Sequence, residues 1–339
     1  MKKLSLCALL LFILNSAFAQ LANIGQRTYR FNDTKRARPL ITELWYPTTD
    51  TIKSADKKFS PFLREYTVRD GTLPNHRLPL IMLSHGTGGG RLTMEWLAQA
   101  LAKSGFIVAA VDHWGNTFDN KIAVQFLKVW DRPEDISFVL TQLLHEPALK
   151  NVINPNKIGA TGFSVGGYTV LALAGAKADF PGTINNYKTT NKREIDFPEY
   201  KGLGYLLDDT AFVNSASHIP LLKDKRIKAF FAICPGVGPS FSKKEQFKSV
   251  DGSVFIVGAA ADFMAPVKTN ARHFHRLISQ SRYYEFPGMV GHYVMLNEAI
   301  DDVKKSDPIY FVDDATVNRR DVHLKVDSLA VGFFKTTLR

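Results

Sequence analysis

Cysteine is almost missing from this chain: of 339 residues, only Cys7 and Cys234 are cysteines. A disulfide framework is thereby excluded as the source of stability, which the hydrophobic core has to supply. Long apolar runs are equally scarce. Beyond the first twenty residues, no stretch stays apolar over the roughly 20 residues that a membrane-spanning helix needs. Blocks of like charge are absent, although 43 Lys and Arg stand against 32 Asp and Glu, a formal net charge of +11. The cations are scattered and no nucleic-acid-binding motif accompanies them, which argues against a nucleic-acid partner and leaves solubility or attraction to anionic surfaces. No Cys/His/Asp cluster has metal-ligand spacing, so neither a metal nor another cofactor is expected. There is no internal repeat and no low-complexity tract. With 45% hydrophobic and 22% charged residues, the composition is that of a folded domain and not of a disordered chain.

What stands apart is the N-terminus. Met1-Lys2-Lys3 is a short positive leader, Leu4 to Phe18 is nearly all apolar, and Ala17-Phe18-Ala19 fits a small-x-small cleavage signal. The pattern predicts a secretory signal peptide over residues 1–19, with Gln20 as the first mature residue. The apolar run is too short for a membrane anchor. Cleavage removes Cys7 and leaves Cys234 alone, at the end of the apolar run Ile227–Ile233, where it reads as a buried small hydrophobe. The net charge becomes +9, which is +11 less Lys2 and Lys3. An exported, periplasmic or extracellular protein is expected, with no integral membrane segment after cleavage. Its oligomeric state is left open.

From about Arg27 the chain alternates short apolar runs with longer amphipathic ones. Strands are expected at Arg27–Asn32, Leu40–Tyr46, Leu78–Leu83, Phe106–Val111, Lys157–Thr161, Ile227–Ile233, Ser253–Val257 and Arg282–Phe286. Helices are expected at Leu92–Ser104, closed by Gly105, at Glu134–Leu144, Val165–Ala176, Val267–Ser281 and roughly Val322–Thr336. The polar stretch Thr48–Arg77 reads as loop. Such strand–helix alternation predicts an α/β fold: a mostly parallel sheet with helices on both faces, edged by the two antiparallel N-terminal strands. One stretch, residues 178–222, carries no clear strand and is rich in Asn, Lys, Asp and aromatics. It is expected to be a cap inserted into a single domain covering residues 20–339.

The chemistry begins at Gly162-Phe163-Ser164-Val165-Gly166. Gly-x-Ser-x-Gly is a common pattern, so its context decides its meaning. A predicted strand precedes it and a small-residue helix follows, which places Ser164 on a tight strand-to-helix turn. There a serine takes a strained backbone conformation and projects its hydroxyl above the sheet, while the flanking glycines let strand and helix approach. The Val165 N–H then points toward any charge developing at the site, with the helix dipole behind it. A serine that merely caps a helix is the competing reading.

A second glycine-rich loop, Ser84-His85-Gly86-Thr87-Gly88-Gly89-Gly90, follows the strand Leu78–Leu83. No Gly-Lys-Ser/Thr ending and no dinucleotide spacing accompany it, so phosphate binding is unsupported. It suits instead a backbone N–H turned toward a reacting carbonyl, and Thr87 N–H and Val165 N–H are the expected oxyanion donors. His85 reads as an organiser of the loop.

A serine nucleophile needs a base, and the base needs an orienting acid. Asp262 follows the apolar strand Val254–Val257, at the end where sites of open α/β sheets form. His292 lies in Gly288-Met289-Val290-Gly291-His292-Tyr293, just past the last predicted strand. Their order after Ser164 is the one this fold uses. Asp112 and Glu285 are reserve acids. His113 is a candidate for the pocket wall, His273 and His275 read as surface residues of a helix, and His76, His145, His218 and His323 have no motif around them.

With these residues in view, the chain resembles the α/β-hydrolase superfamily. More narrowly it resembles bacterial dienelactone-hydrolase-related proteins that are also similar to platelet-activating-factor acetylhydrolases. The resemblance is carried by Leu44-Trp45-Tyr46-Pro47, Leu83-Ser84-His85-Gly86, Val111-Asp112-His113, Asp131-Arg132-Pro133, Gly162–Gly167, Ala260-Ala261-Asp262 and Gly291-His292-Tyr293. It implies a serine hydrolase with Ser164 as nucleophile, His292 as base, Asp262 as acid, and an oxyanion hole from Thr87 and Val165. Dienelactone hydrolases themselves use cysteine where this chain has Ser164, which counts against dienelactone as substrate. Acetylhydrolase relatives often have histidine where this chain has Phe163, so phospholipid specificity does not carry over. The expected partner is a small-molecule or lipid-like ester. Amide cleavage by the same triad, and non-catalytic binding at the cell envelope, are the alternatives.

Overall fold

A computed structural model of the chain describes residues 23–190 and 195–338, so the expected signal peptide lies outside the described residues. The chain opens with β1 (Asn23–Asp33) and β2 (Arg38–Thr48), a hairpin in which Asn23 pairs with Thr48 and Asp33 with Arg38. Then come β3 (Val68–Arg69), β4 (Leu78–Ser84), α1 (Glu95–Lys103), β5 (Ile107–Val111), α2 (Ala123–Leu127), α3 (Asp131–His145), β6 (Ile153–Phe163) and α4 (Val165–Ala174). After them come α5 (Phe180–Thr189), α6 (Thr210–Ala216), β7 (Ile227–Ile233), β8 (Ser253–Ala259), α7 (Ala271–Leu277) and β9 (Arg282–Phe286). The chain closes with α8 (Asp301–Ser306), α9 (Pro308–Phe311) and α10 (Arg319–Thr337).

All nine strands join one sheet in the order β3-β1-β2-β5-β4-β6-β7-β8-β9. From β5 to β9 every pairing is parallel, and the N-terminal hairpin attaches to β5 through an antiparallel ladder between Thr42–Trp45 and Val108–Val111. This is the mostly parallel α/β sheet with an antiparallel edge that the sequence implied. Strand β3 is an addition to the expected loop. It pairs parallel with β1 through only two residues, too few for any periodicity to show.

Burial of both faces follows the two-residue period of the strands. Leu80 and Met82 of β4, with Ile107, Ala109 and Val111 of β5, turn toward α3, which contributes Ile136, Val139, Leu140 and Leu143. Ile81 and Leu83, with Val108 and Ala110, turn the other way. They meet Leu97, Ala98 and Leu101 of α1 and Val326, Ala330, Phe333 and Phe334 of α10. Such two-sided strands leave only their C-terminal ends free to carry polar side chains, and there the functional loops gather.

Three helices are shorter than their apolar patterns suggest, among them α1, which runs from Glu95 to Lys103 and not from Leu92 to Ser104. Helix α4 ends at Ala174 because Gly175 takes φ 117, a left-handed cap that turns the chain away. Helix α7 starts at Ala271 because Asn270 takes φ −128 and ψ −101, outside the helical range, while its side chain accepts a hydrogen bond from Gly238 N–H at 2.9 Å.

Described residues of the 178–222 stretch include α5, a 3-10 turn at Leu203–Asp208 and α6. Asp179 caps α5 by accepting from Gly182 N–H, and Asp209 caps α6 by accepting from Phe212 N–H. Phe180, Ile184, Leu203, Leu207 and Phe212 are buried against the α3 side of the sheet, where Trp130 packs its ring 4.8 Å from Phe180 and 5.7 Å from Phe212.

Candidate active site

Ser164 sits between the end of β6 and the first residue of α4 with φ 57 and ψ −121, a conformation that L-residues rarely adopt. The surroundings hold it there. Its N–H donates to Ile233 O at 2.9 Å, and its carbonyl accepts from Gly236 N–H at 2.9 Å. The turn is so tight that a methyl group on Gly162 would run into Gly166 O, and one on Gly166 into Ser84 O. Both glycines are therefore required by backbone approach.

From this turn the Ser164 hydroxyl reaches His292, whose Nε2 lies 3.0 Å from Oγ. On the other side of the ring, Nδ1 lies 2.7 Å from Asp262 Oδ2. The remaining Asp262 oxygen, Oδ1, accepts from Ala265 N–H at 2.6 Å, which fixes the carboxylate plane. Asp262 and His292 are 4% and 3% exposed, so this hydrogen-bonded chain runs in a protected interior. With Nδ1–H donated to the carboxylate, Nε2 is left as the acceptor for the serine proton. The three residues that the sequence singled out thus meet at one point, though β6, β8 and β9 deliver them separately.

Val165 opens α4, so its N–H has no acceptor within the helix. In the glycine-rich loop after β4, the N–H groups of Gly88, Gly89 and Gly90 are taken by Asn116 Oδ1 at 2.8 Å, Gly86 O at 3.3 Å and Thr93 Oγ1 at 2.8 Å. Among the described residues, Thr87 N–H has no acceptor. Thr87 follows Gly86, whose Cα faces Phe163 and Ser164 closely enough that an added methyl would sit 3.5 Å from Ser164 Cβ. The two expected donors therefore belong to the loop and the helix start that meet at the serine.

Cys234 lies under the site, 1% exposed and beside Asp262. Burial first, and then the neighbouring carboxylate, push its thiol well above the usual range, so it stays protonated and unreactive. The reserve acids are committed elsewhere: Asp112 pairs with Arg91 at 2.6 Å and Glu285 with Arg272. His113 does not line the pocket as expected. It is fully buried, with Nε2 2.8 Å from Ser84 Oγ and Nδ1 3.0 Å from Asp135 Oδ2. His275 stacks on Tyr283 and His273 bonds Phe241 O, so neither is a free surface group. No group of three or more His, Cys, Asp or Glu that could hold a metal ion occurs among the described residues.

A cavity of about 1750 Å³ opens over Ser164 and His292. Phe126, Phe180, Tyr187, Phe197 and Phe212 give it an aromatic wall, and Tyr293, Tyr310 and Phe311 line another side. One acid enters this wall from the inserted stretch. Glu199 Oε1 accepts from Tyr293 Oη at 3.0 Å, and burial raises the carboxyl above its ordinary value. Nothing in the sequence singled out Glu199; only the fold brings it beside the residue that follows His292.

Comparison with known proteins bears on the fold. The family described as platelet-activating factor acetylhydrolase, isoform II, matches residues 65–125, a segment that holds the Ser84–Gly90 loop but none of Ser164, Asp262 and His292. No curated protein matches the chain. Among solved structures, ferulic acid esterase from Streptomyces cinnamoneus is similar with a TM-score of 0.62 at 18% identity, over 96% of this chain and 92% of that one. The likeness extends over nearly the whole sheet and its helices, and the fold is that of the α/β-hydrolases.

Proposed function

We propose that this chain is a carboxylic ester hydrolase of the α/β-hydrolase superfamily and works through Ser164 as nucleophile, His292 as general base and Asp262 as orienting acid. The observation that carries the reading is the continuous hydrogen-bonded chain from Ser164 Oγ through His292 to Asp262, at 3.0 and 2.7 Å. As Oγ attacks the ester carbonyl, His292 Nε2 takes its proton, and Asp262 stabilises the imidazolium that results. The carbonyl oxygen becomes an oxyanion held by the N–H groups of Thr87 and Val165. Collapse of this intermediate breaks the bond to the alkoxide oxygen, which leaves as an alcohol with the proton from His292. Water then attacks the acyl-Ser164 ester, giving a proton to His292, and the acid departs as Ser164 is reprotonated.

A cavity of about 1750 Å³ with aromatic walls supports a bulky, apolar or lipid-like ester. The stretch 178–222 acts as a cap, since its residues Phe180, Tyr187 and Phe197 form part of those walls. Export is supported by the N-terminal leader, in which Met1-Lys2-Lys3 precedes the apolar run Leu4 to Phe18 and the small-x-small site Ala17-Phe18-Ala19. The test is hydrolysis of nitrophenyl esters graded from acetyl to long-chain by the full protein and by Ser164→Ala. The variant is expected to lose about 10⁴-fold or more in kcat. Retained turnover would sink the assignment.

A further inference from the structure

Behind the loop that carries Thr87 lies a second serine–histidine–aspartate set, closed off from the cavity. Ser84 Oγ donates to His113 Nε2 at 2.8 Å, and His113 Nδ1 donates to Asp135 Oδ2 at 3.0 Å. Ser84 is 1% exposed, and His113 and Asp135 are 0% exposed, so no substrate reaches them. Arg38 braces the same carboxylate through Nε and Nη2, each at 2.7 Å. The set copies the connectivity of the catalytic residues without their access, and its work is structural.

What it supports is an arginine spent on the loop. Arg132, 1% exposed at the start of α3, donates Nη1 to His85 O at 2.6 Å, and Nη2 to Gly86 O at 3.1 Å and Asn116 Oδ1 at 3.0 Å. All three acceptors are neutral, and among the described residues no carboxylate lies within ion-pair distance of this guanidinium. His85 adds a second donor to Gly86 O, from Nδ1 at 2.6 Å, while its Nε2 accepts from His113 N–H at 3.2 Å. Asn116 Oδ1, held by Arg132, also accepts from Gly88 N–H at 2.8 Å.

The consequence lies in one peptide plane. The chain has no cis peptide bond among its described residues, so the carbonyl of Gly86 and the N–H of Thr87 point in opposite directions from a planar unit. Three donors hold that carbonyl: Arg132 Nη2, His85 Nδ1 and, within the loop itself, Gly89 N–H at 3.3 Å. The Thr87 N–H, on the opposite side of the same plane, is thereby turned away from Arg132, in the loop where Gly86 faces Ser164. We propose that Arg132, with His85 and Asn116, is the positioning device of the oxyanion hole, seated on the buried Ser84–His113–Asp135 set. This role rests on the reading of Thr87 N–H as an oxyanion donor. An oxyanion donor helps only if it needs no reorientation during reaction, and a clamp on the far end of its own peptide supplies that.

The test compares Arg132→Lys, Asn116→Leu and Asn116→Asp with the unaltered protein on nitrophenyl acetate, per active site titrated with a fluorophosphonate. A trifluoromethyl ketone, which forms a serine-bound oxyanion, is the second probe. Arg132→Lys keeps the charge but not the fork, and should lower kcat about 10- to 100-fold with KM nearly constant. Its inhibition constant for the ketone should weaken by the same factor. Asn116→Leu should show the same pattern more mildly, and Asn116→Asp, which keeps both acceptor roles, should recover most of the loss. Should Arg132→Lys fail to fold, the Asn116 pair decides. A folded variant with kcat and ketone affinity unchanged, or a loss confined to the number of titratable sites, would overturn the inference. Turnover that survives Ser164→Ala would instead overturn the reading of the site on which it rests.

Discussion

Tyr293 Oη donates to Glu199 Oε1 at 3.0 Å, and this bond ties the inserted stretch to the residue directly after His292. The backbone of Glu199 is held in turn by Lys121 Nζ at 3.0 Å, and the neighbouring Tyr200 ring packs 4.9 Å from Phe126. The side chain also fills the space above Gly88, where a methyl group on the glycine would lie 2.7 Å from Glu199 Cβ. The inserted stretch, the glycine-rich loop and the loop that carries His292 therefore converge on one side chain.

Glu199→Ala should loosen that junction while leaving Ser164, His292 and Asp262 in place. KM for long-chain esters is expected to rise about 3- to 10-fold, in keeping with roughly 1 kcal/mol for a lost hydrogen bond, with kcat for nitrophenyl acetate changed less than twofold. Steady-state kinetics across the ester series checks this. Equal losses on short and long esters would place Glu199 in the chemistry instead.

Gly166→Ala should be severely damaging. The added methyl meets Ser84 O, a backbone atom that cannot swing aside, so either β4 or α4 must shift. Overpacking of this kind costs about 3 kcal/mol, which urea unfolding would register as a lower midpoint at constant slope. Activity per folded molecule should fall too, because Ser84 begins the glycine-rich loop that carries the proposed donor Thr87.

Acid should destabilise the protein partly through His323. Its ring stacks on Trp96 at 3.9 Å and its Nε2 donates to Val294 O at 2.7 Å, and burial lowers its pKa from 6.5 to about 3. The folded state thus prefers the neutral ring. Below the unfolded value of 6.5 the unfolded chain binds a proton that the folded chain refuses, so this contribution is intact at neutral pH and lost progressively as pH falls toward 3. Between pH 6.5 and 4 the unaltered protein should lose roughly 3 kcal/mol more stability than His323→Gln. His85 and His113 titrate in the same direction, but they are common to both proteins and drop out of the difference. Parallel pH–stability curves for the two proteins would refute the assignment.

How much of this was legible in the sequence follows from the range of each interaction. The β6–Ser164–α4 turn is local, so alternating apolar residues, small helix residues and glycines announced it. Asp262 and His292 were found because each follows an apolar strand and chain order constrains the roles. His113 was misplaced because its partners are Ser84, 29 residues back, and Asp135, 22 residues on, and no spacing rule relates the three. Arg132 stood out only as part of Asp131-Arg132-Pro133 in the family resemblance; its burial and its grip on His85 O, 47 residues away, exist only in the fold. Glu199 is further still, 94 residues from Tyr293, in a stretch read as a cap but with no motif to single out any one of its residues.

The central claim is that Ser164 forms a covalent bond to the acyl group. The most direct measurement is mass spectrometry of peptides from protein quenched during turnover of a slowly deacylating nitrophenyl ester. The acyl mass should appear on the peptide containing Gly162-Phe163-Ser164-Val165-Gly166, located at Ser164, and should vanish in Ser164→Ala. An adduct on another residue, or full turnover with no adduct at Ser164, would contradict the account.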